Sequence, residues 1–303
     1  MSVVDWLLDS DPAIRWQVMR DLTGEPADVV AAERAKVTSE GWGARLLALQ
    51  GPHGQWGGTY VPPWTSTTYT LLLLRHMGLD PASDEARRAV ALVRDNARWE
   101  HDGEAYFSGE VEPCINGMAV AIGSYFGQDV KGVVDRLLSE QLSDGGWNCE
   151  AERGSTRSSF HSTIDVLEGL LEYERATPGS TEVTAARHRG QEYLLDRRMF
   201  RRLSTGEVVD PEWLRFSFPP RYFYDLLRGL DYLRSADVEP DERCAEAIDL
   251  VKNKRAEDGR WPLENPHPGE VYFDTDEGVG KPSRWNTLRA MRVLDWYTRG
   301  RAR

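Results

Sequence analysis

Cysteine is the most reactive side chain in this sequence, and it occurs at only three positions, Cys114, Cys149 and Cys244. Three cysteines in 303 residues do not make a disulfide framework, so we expect reduced thiols and a cytoplasmic protein. Cys149 lies two residues after a tryptophan in the stretch DGGWNCE, in the loop that leads to the next apolar helical segment. Thiolates are nucleophiles and ligands of thiophilic metals. Cys149 is therefore the first candidate for a functional site.

Basic and aromatic residues recur where apolar helical segments begin. The cations there can form an anion site with the positive ends of helices, or they can be ordinary surface charges. The aromatic rings can line an apolar cavity and stabilise a cationic intermediate, although core packing explains each ring equally well. We predict that substrate contacts are made by Trp64, Phe160, Tyr222 and Trp285, together with Arg157 and Arg284.

Composition narrows the function classes. A net charge of −12 argues against a nucleic-acid partner, because phosphate binding needs a concentrated basic face. The first residues are acidic where a signal peptide needs a basic and apolar start, and no apolar run is long enough to span a bilayer. The glycine-rich stretch 51–58 lacks the lysine of a phosphate-binding loop, and no Ser-His-Asp spacing is recognisable.

The elements that position these residues repeat along the chain. Five segments share a short polar or proline-rich start followed by an apolar helical run, and a sixth at 11–22 fits more loosely. More charged amphipathic segments separate them, which predicts helical hairpins and an all-α fold. A closed ring of inner and outer helices is favoured over an open solenoid. The five segments are 62–78, 112–127, 158–174, 219–234 and 281–297.

Three turns after the amphipathic segments share a glycine-rich stretch and a tryptophan. Glycine can end the preceding helix in a left-handed conformation, and the tryptophan can fold back beneath it. A glutamine before the turn, Gln50 or Gln141, can satisfy backbone groups left without partners at helix ends. Lys254 replaces this glutamine in the third turn. The tryptophans are Trp56, Trp147 and Trp261.

This pattern resembles the QW motif of squalene and oxidosqualene cyclases, which the β subunits of protein prenyltransferases share more loosely. The similarity covers about residues 40–300, and the turns at 97–107 and 197–209 are degenerate. The resemblance implies an (α/α)6 toroid of about six hairpins with a central cavity. We predict one domain, residues 1–303, in which the N-terminal helices of 1–40 match the repeat loosely. It also implies a small apolar or isoprenoid-like substrate.

The prenyltransferase β subunits bind a catalytic Zn²⁺ through an Asp-x-Cys pair and a histidine on the next inner helix. The matching residues are Glu112, which replaces the aspartate, Cys114 and His161. The resemblance thus implies a zinc site at Cys114 and His161, with Cys149 and Glu112 as alternatives for the third ligand. Alternatively, the cysteines are core residues and His161 caps its helix. The segment before Cys114 is acidic, so a prenyl diphosphate site does not carry over to it.

Class II cyclases protonate their substrate with the middle aspartate of a D-x-D-D motif. The stretch Asp274-Thr275-Asp276-Glu277 resembles it, which makes Asp274 and Asp276 candidate catalytic acids, against the alternative of a solvated acidic loop. Asp165 and Asp225, predicted to lie inside inner helices, are further candidates for a cavity acid.

Three functions remain open from the sequence. The first is a prenyltransferase-like or terpene cyclase-like enzyme, with or without zinc, that acts on an apolar substrate in the central cavity. The second is a zinc enzyme that activates a thiol or water for non-isoprenoid chemistry. The third is a toroid without catalysis that binds or scaffolds a partner, because a fold does not determine a function.

Overall fold

A computed structural model describes residues 1–300, and within them the regular structure is entirely helical, with only isolated β-bridges besides the helices. The all-α class is confirmed. The helices are α1 Val3–Leu8, α2 Pro12–Val18, α3 Ala27–Ala35, α4 Gly41–Ala48, α5 Thr67–Met77, α6 Asp84–Asn96, α7 Pro113–Tyr125, α8 Lys131–Ser139, α9 Phe160–Ala176, α10 Thr181–Asp196, α11 Leu226–Ser235, α12 Ala245–Asn253 and α13 Arg284–Gly300. None of these helices combines the length and the apolar composition that a bilayer crossing requires.

The described chain forms two compact units. The first, here called the cysteine unit, comprises Ala35–Tyr193 and Gly269–Tyr272. The second, here called the terminal unit, comprises Met1–Arg34, Leu194–Pro268 and the chain from Phe273 onward. Buried helices alternate along the chain with amphipathic ones, which is the pairing that an (α/α) toroid requires.

In the cysteine unit the most buried helix is α7, whose first twelve residues are all buried. It packs closely on α9, and two glycines make this approach possible. A Cβ added to Gly117 would lie 2.6 Å from the backbone of Asp165, and one added to Gly169 would lie 2.4 Å from the carbonyl oxygen of Gly117. Only glycine fits at these two positions, so the crossing fixes α7 against α9.

Three tryptophan turns are built from the same hydrogen bonds. Each indole Nε1 donates to a carbonyl ten residues earlier, and each tryptophan backbone N–H donates to a threonine hydroxyl at the start of the following buried helix. The indole bonds are all 2.7 Å and join Trp56 to Leu46, Trp147 to Leu137 and Trp261 to Val251. The threonines are Thr67, Thr163 and Thr287.

The glutamines of the first two turns donate to backbone carbonyls, as the sequence predicts, although not to those of helix ends. Gln50 Nε2 donates to carbonyls of its own turn and of α6, and Gln141 Nε2 does the same to its own turn and α10. In the third turn Lys254 instead pairs with Glu264 at 2.5 Å. Each glutamine thus ties its turn to the next amphipathic helix within the cysteine unit.

In the terminal unit α13 packs against α11 and α2 and buries charged side chains. Arg292 Nη2 lies 2.5 Å from the Asp21 carboxylate, and Arg234 Nε lies 2.8 Å from that of Asp231. Arg289 approaches Asp231 at 3.7 Å. These buried charges are therefore paired, which removes most of the cost of placing them in the interior.

Candidate functional site

Three side chains that could hold a metal ion converge at the N-terminal end of α7. Glu112 precedes this helix and Cys114 is its second residue, while Cys149 comes from the loop after Trp147. The two sulfurs lie 2.9 Å apart, and Cys114 Sγ lies 3.5 Å from Glu112 Oε2. One ligand atom from each of the three residues lies within 4.8 Å of the others. We call Glu112, Cys114 and Cys149 the thiol cluster.

The Trp147 turn and the first turn of α9 position Cys149. The carbonyl of Trp147 accepts a hydrogen bond from the Ser159 N–H at 2.8 Å, which brings the loop to the start of α9. The backbone N–H of Cys149 then donates to Ser162 Oγ, and its sulfur lies 3.3 Å from the same oxygen. Asn148 caps the short 3-10 turn Cys149–Arg153. The sulfur is thus held by local structure on both sides.

The two thiols differ in acidity. The hydrogen bond between the two thiols, followed by burial and by the nearby charges of Cys149, Asp165 and Glu112, raises the pKa of Cys114 well above its usual value. The same hydrogen bond lowers the pKa of Cys149, with a further contribution from Ser162 and against the opposing effect of burial. Cys149 is therefore the first of the two sulfurs to become a thiolate and the better nucleophile or ligand.

A pair of tyrosines lies beside the thiol cluster. Tyr69 on α5 donates its hydroxyl to that of Tyr60 at 2.9 Å. Burial raises the pKa of Tyr60, and the charges of Cys114, Asp165 and Glu112 add to this effect, which places the phenol near those groups. Since Tyr60 accepts from Tyr69, its own hydroxyl hydrogen remains available to the cluster.

Hydrogen bonds to Glu100 hold the loop that carries Tyr60. The Glu100 carboxylate accepts the backbone N–H groups of Thr59 at 2.8 Å and Tyr60 at 2.9 Å. Trp64, predicted to contact substrate, packs edge-on against Tyr69 with ring centroids 4.9 Å apart. The structure thus places Trp64 behind the tyrosine pair. Only Trp64 of this group was singled out from the sequence, because Tyr60, Tyr69 and Glu100 belong to no repeated pattern.

The thiol cluster does not include His161, the second residue of α9, which is half-buried. Its role as a zinc ligand stays a prediction. Its neighbour Phe160 is buried and packs edge-on against Tyr193 at 5.3 Å, a contact typical of a core residue. Arg157 is exposed, and its carbonyl accepts a hydrogen bond from Asn148. On α9 it is instead Ser162 and Asp165 that approach the cluster.

The predicted acids of the terminal unit differ from one another. Asp274 is exposed, whereas Asp276 accepts hydrogen bonds from Ser283 Oγ at 2.8 Å and from the Arg284 N–H at 3.1 Å. Burial raises the pKa of Asp276 to about 7, against the opposing effect of these two donors. Asp276 therefore caps α13 and is partly protonated at neutral pH.

The remaining predicted residues of the terminal unit make packing contacts. Trp285 stacks on Phe218 at 4.1 Å, and Tyr222 stacks on Phe223 at 4.0 Å. Arg284 lies over the Trp6 ring at 4.6 Å and donates to the carbonyl of Asp9. These contacts leave the predicted substrate roles of Trp285, Tyr222 and Arg284 untested.

The prediction that Asp225 lies inside an inner helix is wrong. Asp225 is the N-cap of α11, and its carboxylate accepts the Arg228 N–H at 2.8 Å and the Ser217 hydroxyl at 2.7 Å. The helix begins later than the apolar pattern suggests because the cap supplies an acceptor for its first N–H groups. Asp165, by contrast, is buried inside α9 as predicted.

The cysteine unit also carries a surface groove of about 640 Å³ at the C-terminal ends of α7 and α9. Its lining includes Ser124, Phe126, Glu172 and Arg175. Because the thiol cluster lies at the N-terminal end of α7, the groove and the cluster are separate places. The central cavity stays a prediction.

The chain was compared with protein families, curated proteins and solved structures. No family model matches the chain, and no curated protein matches it. A solved structure of a variant of the type II terpene cyclase MstE from Scytonema, in its apo form, is similar over 96% of this chain and 86% of that one. The sequence identity is 16% and the TM-score is 0.46.

Proposed function

We propose that the chain is an enzyme that binds one Zn²⁺ ion through Cys114, Cys149 and Glu112 and acts on an apolar, isoprenoid-like substrate. The observation that carries this proposal is the convergence of two sulfurs, 2.9 Å apart, with a carboxylate oxygen 3.5 Å from one of them. Two thiolates and a carboxylate form a donor set that binds zinc in preference to magnesium or calcium.

The geometry of the thiol cluster fits the ion after a small movement. Two sulfurs at about 2.3 Å from a tetrahedral zinc lie about 3.8 Å from each other, so the pair must separate by about 1 Å. Rotation of the half-buried Cys149 side chain supplies this movement while its backbone stays at the start of the 3-10 turn, whereas Cys114 is buried on α7. The high pKa of Cys114 also fits, since a metal takes the place of the proton that a free buried thiol keeps.

A zinc ion held by these three residues would supply Lewis-acid activation of a thiol, a water molecule or a substrate oxygen. The residues of the chain have separate roles around the thiol cluster. Ser162 orients the Cys149 sulfur through its 3.3 Å contact. Tyr60, supported by the hydrogen bond from Tyr69, donates its hydroxyl to the reacting oxygen or sulfur. His161, one residue before Ser162, is the alternative to Glu112 as the third ligand.

The substrate class rests on the sequence resemblance and on the charge around the cluster. The rings of Tyr60, Tyr69 and Trp64 pack on one another near the cluster. Within residues 1–300 the Glu112 carboxylate forms no ion pair, and Asp165 adds a further acid nearby. Acids repel a diphosphate, so we propose a neutral isoprenoid-like molecule rather than a prenyl diphosphate.

Metal analysis of purified protein tests this proposal. We expect about one zinc per chain by mass spectrometry, and less than a tenth of that in Cys114→Ala and Cys149→Ala. Cys244→Ala is the matched control, because Cys244 lies in the terminal unit and belongs to no metal-binding group there. Zinc that persists after both cluster cysteines are removed contradicts the proposed site.

Ligand protection tests the substrate class separately. We expect a neutral isoprenoid alcohol or hydrocarbon to raise the melting temperature of the zinc-loaded protein, and the corresponding diphosphate to raise it less. Equal protection by inorganic diphosphate alone contradicts a neutral substrate. Zinc without protection by any isoprenoid favours the alternative of a zinc enzyme with non-isoprenoid chemistry, and no zinc with no protection favours a binding protein.

A second candidate function is proton transfer by Asp276 in the manner of class II cyclases. The observation that favours it is the buried carboxyl whose pKa is raised to about 7, because a neutral acid can protonate an alkene or epoxide. Asp276→Asn should abolish isoprenoid cyclisation, whereas Asp274→Asn, at an exposed position, should preserve it. Cyclisation that survives Asp276→Asn excludes this function.

A further inference from the structure

The distance between the two sulfurs of the thiol cluster is intermediate between that of a disulfide and that of two sulfurs bound to one zinc ion. Bonded sulfurs are about 2.05 Å apart, and sulfurs on one tetrahedral zinc ion are about 3.8 Å apart. Cys114 Sγ and Cys149 Sγ lie 2.9 Å apart, so each state is reached by a movement of about 0.9 Å. The fold therefore holds the pair where neither state requires a rearrangement of helices.

The two cysteines are suited to different steps of a thiol oxidation. Cys149 is half-buried at the start of a short 3-10 turn, and exposed residues follow it, so a small oxidant can reach its sulfur. Cys114 is buried on α7, with 7% of its surface exposed. Cys149 is thus the accessible sulfur and Cys114 the neighbour that completes the bond.

We propose that Cys114 and Cys149 form a reversible disulfide and that this oxidised state excludes metal from the thiol cluster. The bond itself does not depend on the proposed function, whereas the exclusion of metal rests on it. The thiol cluster would then respond to a peroxide or to a small-molecule disulfide as well as to zinc.

The oxidation by hydrogen peroxide balances as follows. The Cys149 thiolate attacks one peroxide oxygen, the O–O bond breaks and, with a proton, the first water leaves, so that Cys149 becomes a sulfenic acid. Cys114 then attacks that sulfur, the S–O bond breaks, the S–S bond forms and the Cys114 proton departs with the second water. Two thiols lose two electrons, and one peroxide becomes two water molecules. The 2.9 Å separation favours this second step over further oxidation of Cys149.

The disulfide bond removes both sulfurs as metal ligands. A disulfide sulfur has no thiolate charge, and Glu112 alone cannot retain zinc. A reductant that restores the two thiols restores the donor set. Oxidation and metal loading of the full chain are therefore two competing reactions of one pair.

Thiol counting by mass spectrometry tests the bond on the full-length protein after metal removal by a chelator. Hydrogen peroxide should lower the intact mass by about 2 Da and leave one alkylatable cysteine, Cys244, of the three. Cys244→Ala should lose the same mass and keep no alkylatable thiol. Cys149→Ser and Cys114→Ser should show no loss of 2 Da, and dithiothreitol should restore the wild-type mass.

The second arm tests metal exclusion. Zinc added before peroxide should slow disulfide formation by about tenfold or more, and the oxidised protein should bind no zinc until it is reduced. If no zinc binds in any state but the disulfide forms, the proposed function fails and the disulfide inference stands. If zinc binds and peroxide instead gives sulfinic acid, an intermolecular bond or a bond to Cys244, the inference fails and the proposed function stands.

The cysteine variants must be folded for these results to count. Circular dichroism and the melting temperature identify any variant that is unfolded, and the wild-type protein gives an independent measurement. Peptide mapping of the oxidised wild type should recover one cross-linked pair with Cys114 and Cys149. Its absence overturns the inference without any variant.

Discussion

The turns at Trp147 and Trp261 use the same hydrogen bonds but lead to different environments. Both indoles are completely buried, both donate at 2.7 Å to a carbonyl ten residues earlier, and both backbone N–H groups donate to a threonine. Two residues after Trp147 comes Cys149, half-buried and 2.9 Å from a second sulfur. Two residues after Trp261 comes Leu263, which is buried in the terminal unit. The turn fixes the backbone and leaves this later position open to either packing or chemistry.

The ionisable groups that follow the two turns also differ in their hydrogen-bond partners. In the terminal unit the side chain of Asp276 accepts hydrogen bonds from two local donors, Ser283 and Arg284. In the cysteine unit the groups that meet are two thiols and the carboxylate of Glu112. Acidic groups that meet each other without a cation favour either protons or a metal ion. The two regions therefore differ in that one carboxylate has local hydrogen-bond donors, whereas the other lies beside two thiols, where we propose a metal.

Removal of each tryptophan should give the largest effect and separate these two roles. We expect Trp147→Ala and Trp261→Ala each to lower the free energy of unfolding by about 3–5 kcal/mol, because a fully buried indole leaves a cavity and an unpaired carbonyl. The milder variants Trp147→Phe and Trp261→Phe should both remain folded. Of these two, only Trp147→Phe should weaken zinc binding in a calorimetric titration. Equal loss of zinc affinity in both would contradict the comparison.

Substitution of a glycine at the α7–α9 crossing should give the next largest loss of stability. Gly117→Ala places a Cβ 2.6 Å from the backbone of Asp165, so we expect a loss of about 1–3 kcal/mol in chemical denaturation. Gly132→Ala is the matched control, because a Cβ at Gly132 in α8 meets no atom within 4 Å. The control should be neutral or stabilise by about 0.5–1 kcal/mol, since alanine favours a helix over glycine. A tolerated Gly117→Ala would show that the helices can separate at no cost.

The pH dependence of stability should reveal the protonated acid of the terminal unit. Because burial raises the pKa of Asp276 to about 7, the folded state favours the neutral carboxyl, and this contribution is full below the unfolded value of 3.8 and lost as the pH rises through 7. Asp276→Asn keeps a neutral side chain at every pH. The free energy of unfolding of this variant, and with it the melting temperature, should therefore gain on the wild type between about pH 4 and pH 8, by about 1–2 kcal/mol after allowance for partial solvent screening.

The control for this titration is Asp274→Asn, which changes an exposed carboxylate two residues away. Its melting temperature should follow the wild type at each pH. A difference between Asp276→Asn and wild type that shrinks as the pH rises would mean that the carboxylate, rather than the acid, stabilises the fold.

The sequence predicts the repeated features well and the single ones poorly. The helical hairpins and the tryptophan turns follow from periodicity, glycine and tryptophan, which recur and can be compared with one another. The Cys149 position stood out because Gly58 and Leu263 occupy the equivalent places. The sequence carries no signal for Tyr60 and Ser162, because their proximity to the thiols depends on how loops meet helices. The apolar pattern predicts too early a start for α11, since the capping role of Asp225 has no periodic signal.

Substitution of the threonine in each turn should give the smallest loss of stability, and the loss should be similar in the two turns. Thr163→Val and Thr287→Val keep the shape of the side chain but remove the acceptor of the tryptophan N–H, so each should cost about 1 kcal/mol in the free energy of unfolding. In addition, Thr163→Val should displace the loop that carries Cys149, because Trp147 and Ser159 hold the same stretch. We therefore expect Thr163→Val, but not Thr287→Val, to change the rate at which Cys149 reacts with a thiol reagent. An equal rate in both variants would mean that Ser162 alone orients the sulfur.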